Sequence, residues 1–265
     1  QCLENLNDEP EFERFTPEDI KDAVKHLKKG KSAGPDSISG EHVIYSDSKL
    51  FYLLSMLFNT MLIHSYLPED FMLSLIVPLL KDSKGDVTSK DNYRPIALTS
   101  ILSKVLELVL LSKYGHLLDT CDNQYGYKSS LSTDMCIFSF KEIVNYYKTL
   151  SSNVYLCFLD ASKAFDRVNH WHLCKKLLKR GLPKVIVRFL LCWYQTQLFS
   201  VKWCNTVSIP FSVCNGVRQG GILSPKMFNV YIDDLSCLLN RSNIGCYLND
   251  VSFNHLQYAD DSVLL

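Results

Sequence analysis

Two short apolar runs in this chain meet carboxylates, and that limits how the chain can fold. "NVYLCFLD" (153–160) is rich in β-branched and aromatic residues and reads as a strand ending at Asp160. "LQYADDSVLL" (256–265) reads as a hairpin with Asp260 and Asp261 at its turn. Adjacent strand residues point to opposite faces, and a tight turn reduces that divergence. If the two strands are neighbours, one of the paired aspartates meets Asp160. Carboxylates gathered in this way repel one another unless cations neutralise them. Two divalent ions about 4 Å apart would do so, and would clamp the attacking and leaving oxygens of a phosphoryl transfer. Oxygen ligands suit Mg²⁺, and Mn²⁺ is the alternative. Asp is also an ordinary turn former, so "ADD" alone reads as a solvated turn.

The rest of the chain must supply a sheet that holds such a turn. The 265 residues suffice for one or two domains, and 47% hydrophobic with 21% charged residues reads as globular. Lys and Arg total 28, as do Asp and Glu, so overall charge argues neither for nor against a nucleic-acid partner. The ten cysteines are scattered without a CxxC pair or zinc spacing. They read as free thiols in a reducing compartment, nucleus or cytoplasm. There is no signal peptide and no run of about eighteen apolar residues, so no membrane partner is expected.

Along the chain, residues 1–15 are acidic and irregular, and "TPEDIKDAVKHLKKG" (16–30) follows as a helix. Thr16 caps it, Pro17 opens it, Asp19 completes a capping box, and Gly30 ends it with Lys28 and Lys29 in the last turn. Helices are expected over 49–66, 100–118, 131–150, 169–180, 183–197 and from Pro225 onward. A buried strand is expected at 71–80, a hairpin over 198–204 and 207–214, and short strands over 243–249 and 251–265. Helices followed by strands interleaved with helices give an α+β fold, an antiparallel sheet with covering helices.

Several stretches occur in a telling order. They are "KGKSAGPDSIS" (29–39), "IVPLLKD…NYRPIALTSILSKVLE" (76–107) and "QYGYKSSLST" (124–133), then "FLDASKAFDRVNH" (158–170), "NGVRQGGILSPKMFNVYIDDL" (215–235) and "YADD" (258–261). Together they resemble the reverse transcriptases of non-LTR (LINE-type) retrotransposons, from about residue 16 to 265. The resemblance implies a right-hand polymerase: a fingers-like region over 16–150 and a palm-like region over 151–265. It implies RNA-directed DNA synthesis with an RNA template, a DNA primer and dNTPs. Protein partners are left open.

The resemblance also assigns residues. Asp160 and Asp260 match the main metal ligands, Asp261 the second carboxylate of the pair, and the Ala161 carbonyl a further metal contact. Phe165 matches an aromatic gate that crowds a ribose 2′-OH; outside that context it reads as plain core. Gln219 and Gly220 match a loop that cradles the incoming nucleotide, and glycine there permits close backbone approach. Outside the family pattern the loop reads as an ordinary turn. Lys81 and Arg94 match triphosphate contacts, with Lys84 and Lys90 competing for the first role. The clusters "KHLKKGK" (25–31) and "KKLLKR" (175–180) offer template contacts or helix ends. "HWHLC" (170–174) lacks complementary zinc ligands.

Members of the family continue beyond the hairpin into a primer-gripping turn and a thumb. The expectation is therefore an incomplete palm, thumb absent, in a fragment of a longer open reading frame with little activity alone. A non-enzymatic remnant that binds nucleic acid, or an RNA-dependent RNA polymerase, are the alternatives; Phe165 speaks against the latter.

Overall fold

The computed structural model describes residues 12–242, 244–248 and 251–265. Most of the irregular segment expected over 1–15, and Asn249 and Asp250, lie outside the described residues. The helices are α1 (Pro17–Lys25), α2 (Gly40–Ile44), α3 (Ser48–His64), α4 (Glu69–Met72), α5 (Ile101–Tyr114), α6 (Thr133–Thr149), α7 (His170–Lys179), α8 (Lys184–Thr196) and α9 (Ser224–Arg241). The strands are β1 (Leu73–Leu80), β2 (Tyr93–Leu98), β3 (Cys157–Asp160), β4 (Leu198–Trp203), β5 (Thr206–Val207), β6 (Phe211–Ser212), β7 (Cys246–Leu248), β8 (Val251–Phe253), β9 (His255–Tyr258) and β10 (Asp261–Leu264). They group into two compact units, each built from two separate stretches of chain. One takes the chain up to Leu117 with Asn169–Ser224, the other Leu118–Val168 with Pro225–Leu265.

In the first unit, α1 starts as its sequence requires. The Thr16 hydroxyl accepts the Asp19 N–H, and the Asp19 carboxylate accepts the Thr16 N–H at 2.7 Å. The helix stops at Lys25, earlier than Gly30 would imply. The next residues turn away instead: Glu41 accepts the Gly30 N–H at 2.6 Å, and Lys29 donates to the Tyr45 hydroxyl. Ile20, Ala23 and Val24 of α1 are buried, and α1 packs on α3 and α5. Leu54, Phe58, Met61 and Leu62 of α3, Val105, Leu106, Val109 and Leu110 of α5, and Ile186, Phe189 and Leu190 of α8 complete this core. Each such side chain contributes about 1.5–3 kcal/mol by leaving water.

The sheet of this unit runs β2-β1-β4-β5, with β6 also on β4. The sequence suggested antiparallel pairing, yet β1 and β4 are parallel, from Leu73↔Leu198 to Ile76↔Val201. Helical segments lie between them in the chain, which is what a parallel connection needs. The expected hairpin forms at Trp203↔Thr206, with Cys204 in the left-handed region at φ 51°. The strand expected to be buried from residue 71 begins at Leu73, after the short α4, and its end is open: Leu79 and Leu80 are exposed.

The second unit holds an antiparallel sheet ordered β3-β10-β9. Residues 123–125 run alongside β9: the Gln257 N–H donates to Asn123 O and the Tyr125 N–H to Gln257 O, both at 2.8 Å. Ile143 of α6 packs with Cys246, Leu256 and Val263, so α6 covers one sheet face. The neighbouring residue Gln257 points the other way and accepts the Ser236 hydroxyl of α9 at 2.7 Å. The strand expected over 153–160 is shorter, Cys157–Asp160, and exposed throughout. Among the described residues, no helix is long and apolar enough to cross a membrane.

Candidate active site

The carboxylates come together in the second unit. β10 pairs with β3 in a register that sets Asp261 directly opposite Asp160. Cross-strand partners share a face, so these two side chains stand side by side. Asp261 also closes the hairpin against Tyr258, leaving Ala259 and Asp260 as its two-residue turn. The Asp261 carboxyl is pushed above the usual range, first by desolvation and then by the charges of Asp260 and Asp160. The three groups therefore share one local field. Their oxygens do not all fall within 4.8 Å of each other. Ala161 follows β3 directly, in exposed irregular backbone.

The turn is held from outside. Ala259 has φ 57°, a left-handed conformation that costs a non-glycine residue about 1–2 kcal/mol. The buried side chain of Gln124 meets it: Oε1 accepts the N–H groups of Ala259 (2.9 Å) and Gly126 (2.7 Å), and Nε2 donates to Ala259 O at 3.1 Å. A β-carbon on Gly126 would stand 2.3 Å from Ala259 N, so no side chain fits there. The Gly126 carbonyl in turn accepts from Asn229 of α9 at 2.8 Å. Sequence reading placed "QYGYKSS" in the family pattern but gave Gln124 and Gly126 no role. The only signal was a Gln and a Gly two positions apart; their partner lies far along the chain.

Phe165 lies in a 3₁₀ turn, Ala164–Arg167, after Lys163 at φ 54°. It is half-buried, stacked on Phe228 with centroids 4.6 Å apart and edge-on to Tyr127 at 5.9 Å. The Tyr127 hydroxyl is pushed up by burial and by the charges of Asp260 and Tyr258, so this aromatic group adjoins the carboxylates. Tyr127 is a site neighbour that sequence reading missed.

The remaining candidates lie in the first unit. The Gln219 carbonyl accepts the Ala97 N–H of β2 at 2.7 Å. Gly220 has φ 114°, and a β-carbon there would stand 2.7 Å from Ala97 O, so glycine is required twice over. Beneath this loop lies a buried ion pair: Arg218 donates to Glu107 of α5 at 2.5 Å, with both side chains under 5% exposed. The second Glu107 oxygen accepts the Ile222 (2.5 Å) and Leu223 (3.2 Å) N–H groups, and the Arg218 guanidinium sits 4.5 Å over the Trp193 ring. Lys81 follows β1 and Arg94 lies on β2, where the Leu80↔Tyr93 and Leu79↔Arg94 register puts both at one end of a hairpin. Both are exposed, and Lys81 Nζ donates to Asp91 O at 2.8 Å. His170 of "HWHLC" is structural: its Nε2–H donates to Gly216 O at 2.7 Å and its ring stacks on Tyr194. Lys175–Arg180 form the end of α7, the helix-end reading of that basic cluster.

Comparison with known proteins agrees with this arrangement. The sequence model of the family "Reverse transcriptase (RNA-dependent DNA polymerase)" matches residues 81–265. The chain is 27% identical over 227 residues to "Probable RNA-directed DNA polymerase from transposon BS" of Drosophila melanogaster, covering 83% of this chain and 24% of that protein. It is 29% identical over 212 residues to the "Retrovirus-related Pol polyprotein from type-1 retrotransposable element R2" of Popillia japonica, covering 76% and 28%. The chain thus spans about a quarter of the length of these relatives. Among solved structures, a chain of a "Partial Cas6-RT-Cas1--Cas2 complex" overlaps 94% of this chain and 36% of its own length, at TM-score 0.47 and 18% identity, too distant to add to the assignment. The match across 81–265, which takes in both the carboxylate hairpin and the glycine loop, makes the chain a member of the reverse transcriptase family, of the non-LTR retrotransposon kind.

Proposed function

We propose that this chain carries the nucleotidyl-transfer centre of an RNA-directed DNA polymerase, adding dNTPs to a DNA primer on an RNA template. The observation that carries the reading is the pairing of Asp160 with Asp261 beside the Asp260 turn. The unit with the β3-β10-β9 sheet serves as palm, and the unit with the β2-β1-β4-β5 sheet as fingers. That reading draws residues 118–150 to the palm, across the linear division at residue 150.

Asp160, Asp260 and Asp261, with the Ala161 carbonyl, would hold divalent cations, Mg²⁺ by the hardness of their oxygens. The fit rests on the chemistry of the donors, carboxylates that gather without a cation among them: Asp261 stands opposite Asp160, and its carboxyl is raised by desolvation and then by the charges of Asp260 and Asp160. Bound there, the ions would lower the pKa of the primer hydroxyl and neutralise the leaving phosphates. The protein's own part is positioning. Gln124 and Gly126 fix the turn that carries Asp260. Phe165, stacked on Phe228, would crowd a ribose 2′-OH. Gln219 and Gly220 cradle the nucleotide, and Lys81 and Arg94 meet its triphosphate.

Primer extension on an RNA template with dNTPs and then rNTPs tests this, in an intact parent enzyme. Asp160→Ala and Asp260→Ala should each lose several powers of ten in rate, about 1.4 kcal/mol for each tenfold. Near-normal incorporation by either variant would sink the assignment. Phe165→Ala should keep incorporation and relax dNTP-over-rNTP choice; unchanged discrimination removes the gate.

A further inference from the structure

A second cluster of ligand-bearing side chains lies in the sheet-carrying unit, and polymerase chemistry leaves it without a role. Cys121 precedes the Gln124 segment, while Asp233 and Cys237 stand one turn apart on α9. Among the described residues, this is the only group of three or more such side chains whose ligand atoms lie within 4.8 Å of one another. The Cys121 and Cys237 sulfurs are 3.4 Å apart, and Cys237 Sγ is 3.9 Å from Asp233 Oδ2. Tetrahedral zinc, with bonds of about 2.3 Å to sulfur and about 2.0 Å to oxygen, puts two sulfurs about 3.8 Å apart and a sulfur and an oxygen about 3.5 Å apart, so each observed spacing lies within about 0.4 Å of that geometry. A disulfide needs about 2.0 Å, well inside them.

We propose that Cys121, Asp233 and Cys237 bind a thiophilic divalent cation, Zn²⁺ by ligand class, that fastens the 121–128 segment to α9. Three protein donors leave the fourth position to water. Two thiolates and a carboxylate around a divalent ion carry one net negative charge. Lys128 stands by to offset it: its Nζ donates to the carbonyls of Cys121 (2.7 Å) and Thr120 (2.8 Å), and it lies in the fields of Asp233 and Cys121. Asp233 is already oriented, accepting the Cys121 N–H at 2.9 Å. Burial, then Cys237 and Asp233, pushes the Cys121 thiol up to about 12, so binding must release protons. The scattered cysteine spacing concealed the group, because the ligands come from distant parts of the chain.

The test titrates the full chain, reduced and metal-free, with Co²⁺ at neutral pH, its fold monitored by circular dichroism. The expected result is a near-ultraviolet sulfur-to-cobalt absorption band that saturates at one ion per chain and is displaced by Zn²⁺, with proton release. Cys121→Ser and Cys237→Ser should abolish the band, and Cys214→Ser, at an exposed cysteine, should keep it. The aspartates of the hairpin carry no sulfur and cannot produce this signal, so failure here leaves the polymerase reading intact. No band in the folded chain, or a band that survives Cys121→Ser, overturns the proposal. So does a Cys121–Cys237 disulfide that persists in thiol buffer, detected by peptide mass spectrometry.

Discussion

Beneath the glycine loop, Glu107 and Arg218 are withdrawn from water and pair their opposite charges. At the hairpin, Asp160, Asp260 and Asp261 stand together, and the cations among the described residues leave Asp261 raised. Both regions gather ionised groups close to a glycine that admits no side chain, Gly220 at the loop and Gly126 at the hairpin. The loop closes its charge balance within the fold, which makes it rigid. The hairpin leaves its balance open, which makes it dependent on what it binds. A buried charge with its partner is a fixture of the scaffold; a partly solvated charge without one is an invitation to a ligand.

That contrast can be broken by substitution. The largest effect belongs to the loop. Arg218→Ala strands a buried Glu107 and should cost about 3–5 kcal/mol of unfolding free energy in urea; a loss below 1 kcal/mol would mean water already reaches the pair. Next comes the clamp on the turn. Gly126→Ala drives a β-carbon into Ala259 and should cost about 1–3 kcal/mol, with a larger fall in extension rate than in primer affinity. A variant with normal rate would separate the clamp from catalysis.

Acid should come third. Burial lowers the pKa values of His170 and His255 despite the hydrogen bond from His170 to Gly216. A histidine with a depressed folded value stabilises the fold above its unfolded value, near 6.5, and loses that contribution as pH falls below it. Each should therefore remove up to about 1.4 kcal/mol per pH unit below about 6.5. Flat stability between pH 7 and 5 would contradict their burial. The smallest effect, and the one of opposite sign, belongs to the hairpin. Asp261→Asn relieves repulsion, so it should slightly raise Tm without metal and shrink the rise that Mg²⁺ gives to the parent chain. An Asp261→Asn chain less stable than its parent would mean the cluster is already compensated.

Local chemistry was legible before the fold was. The Thr16 capping box, the helix expected over 183–197, the hairpin expected over 198–204 and 207–214 and the strand ending at Asp160 each follow from residues within a few positions. So did the strand character of the "ADD" hairpin, read from its apolar flanks. What stayed hidden has its partners far apart. Glu107 meets Arg218 across 111 residues, and Cys121 meets Cys237 across 116. One charged residue among the several polar ones of α5 looks like any other until its partner is known. The parallel pairing of β1 with β4 was hidden for a related reason: the residues of a strand do not say in which direction its neighbour runs. α1 stops at Lys25, and the Gly30 N–H goes to Glu41, a partner that no local helix rule names.

The clamp on the catalytic turn also sets an order of events. Gln124 and Ala259 are 135 residues apart, so their hydrogen bonds close a very long loop. Such a loop costs entropy that a few hydrogen bonds cannot repay, so it closes only once the sheet and α9 have assembled around it. During synthesis the Gln124 side of the clamp emerges long before the turn it must hold. The Asp260–Asp261 pair therefore takes up its geometry only when the unit around it is whole.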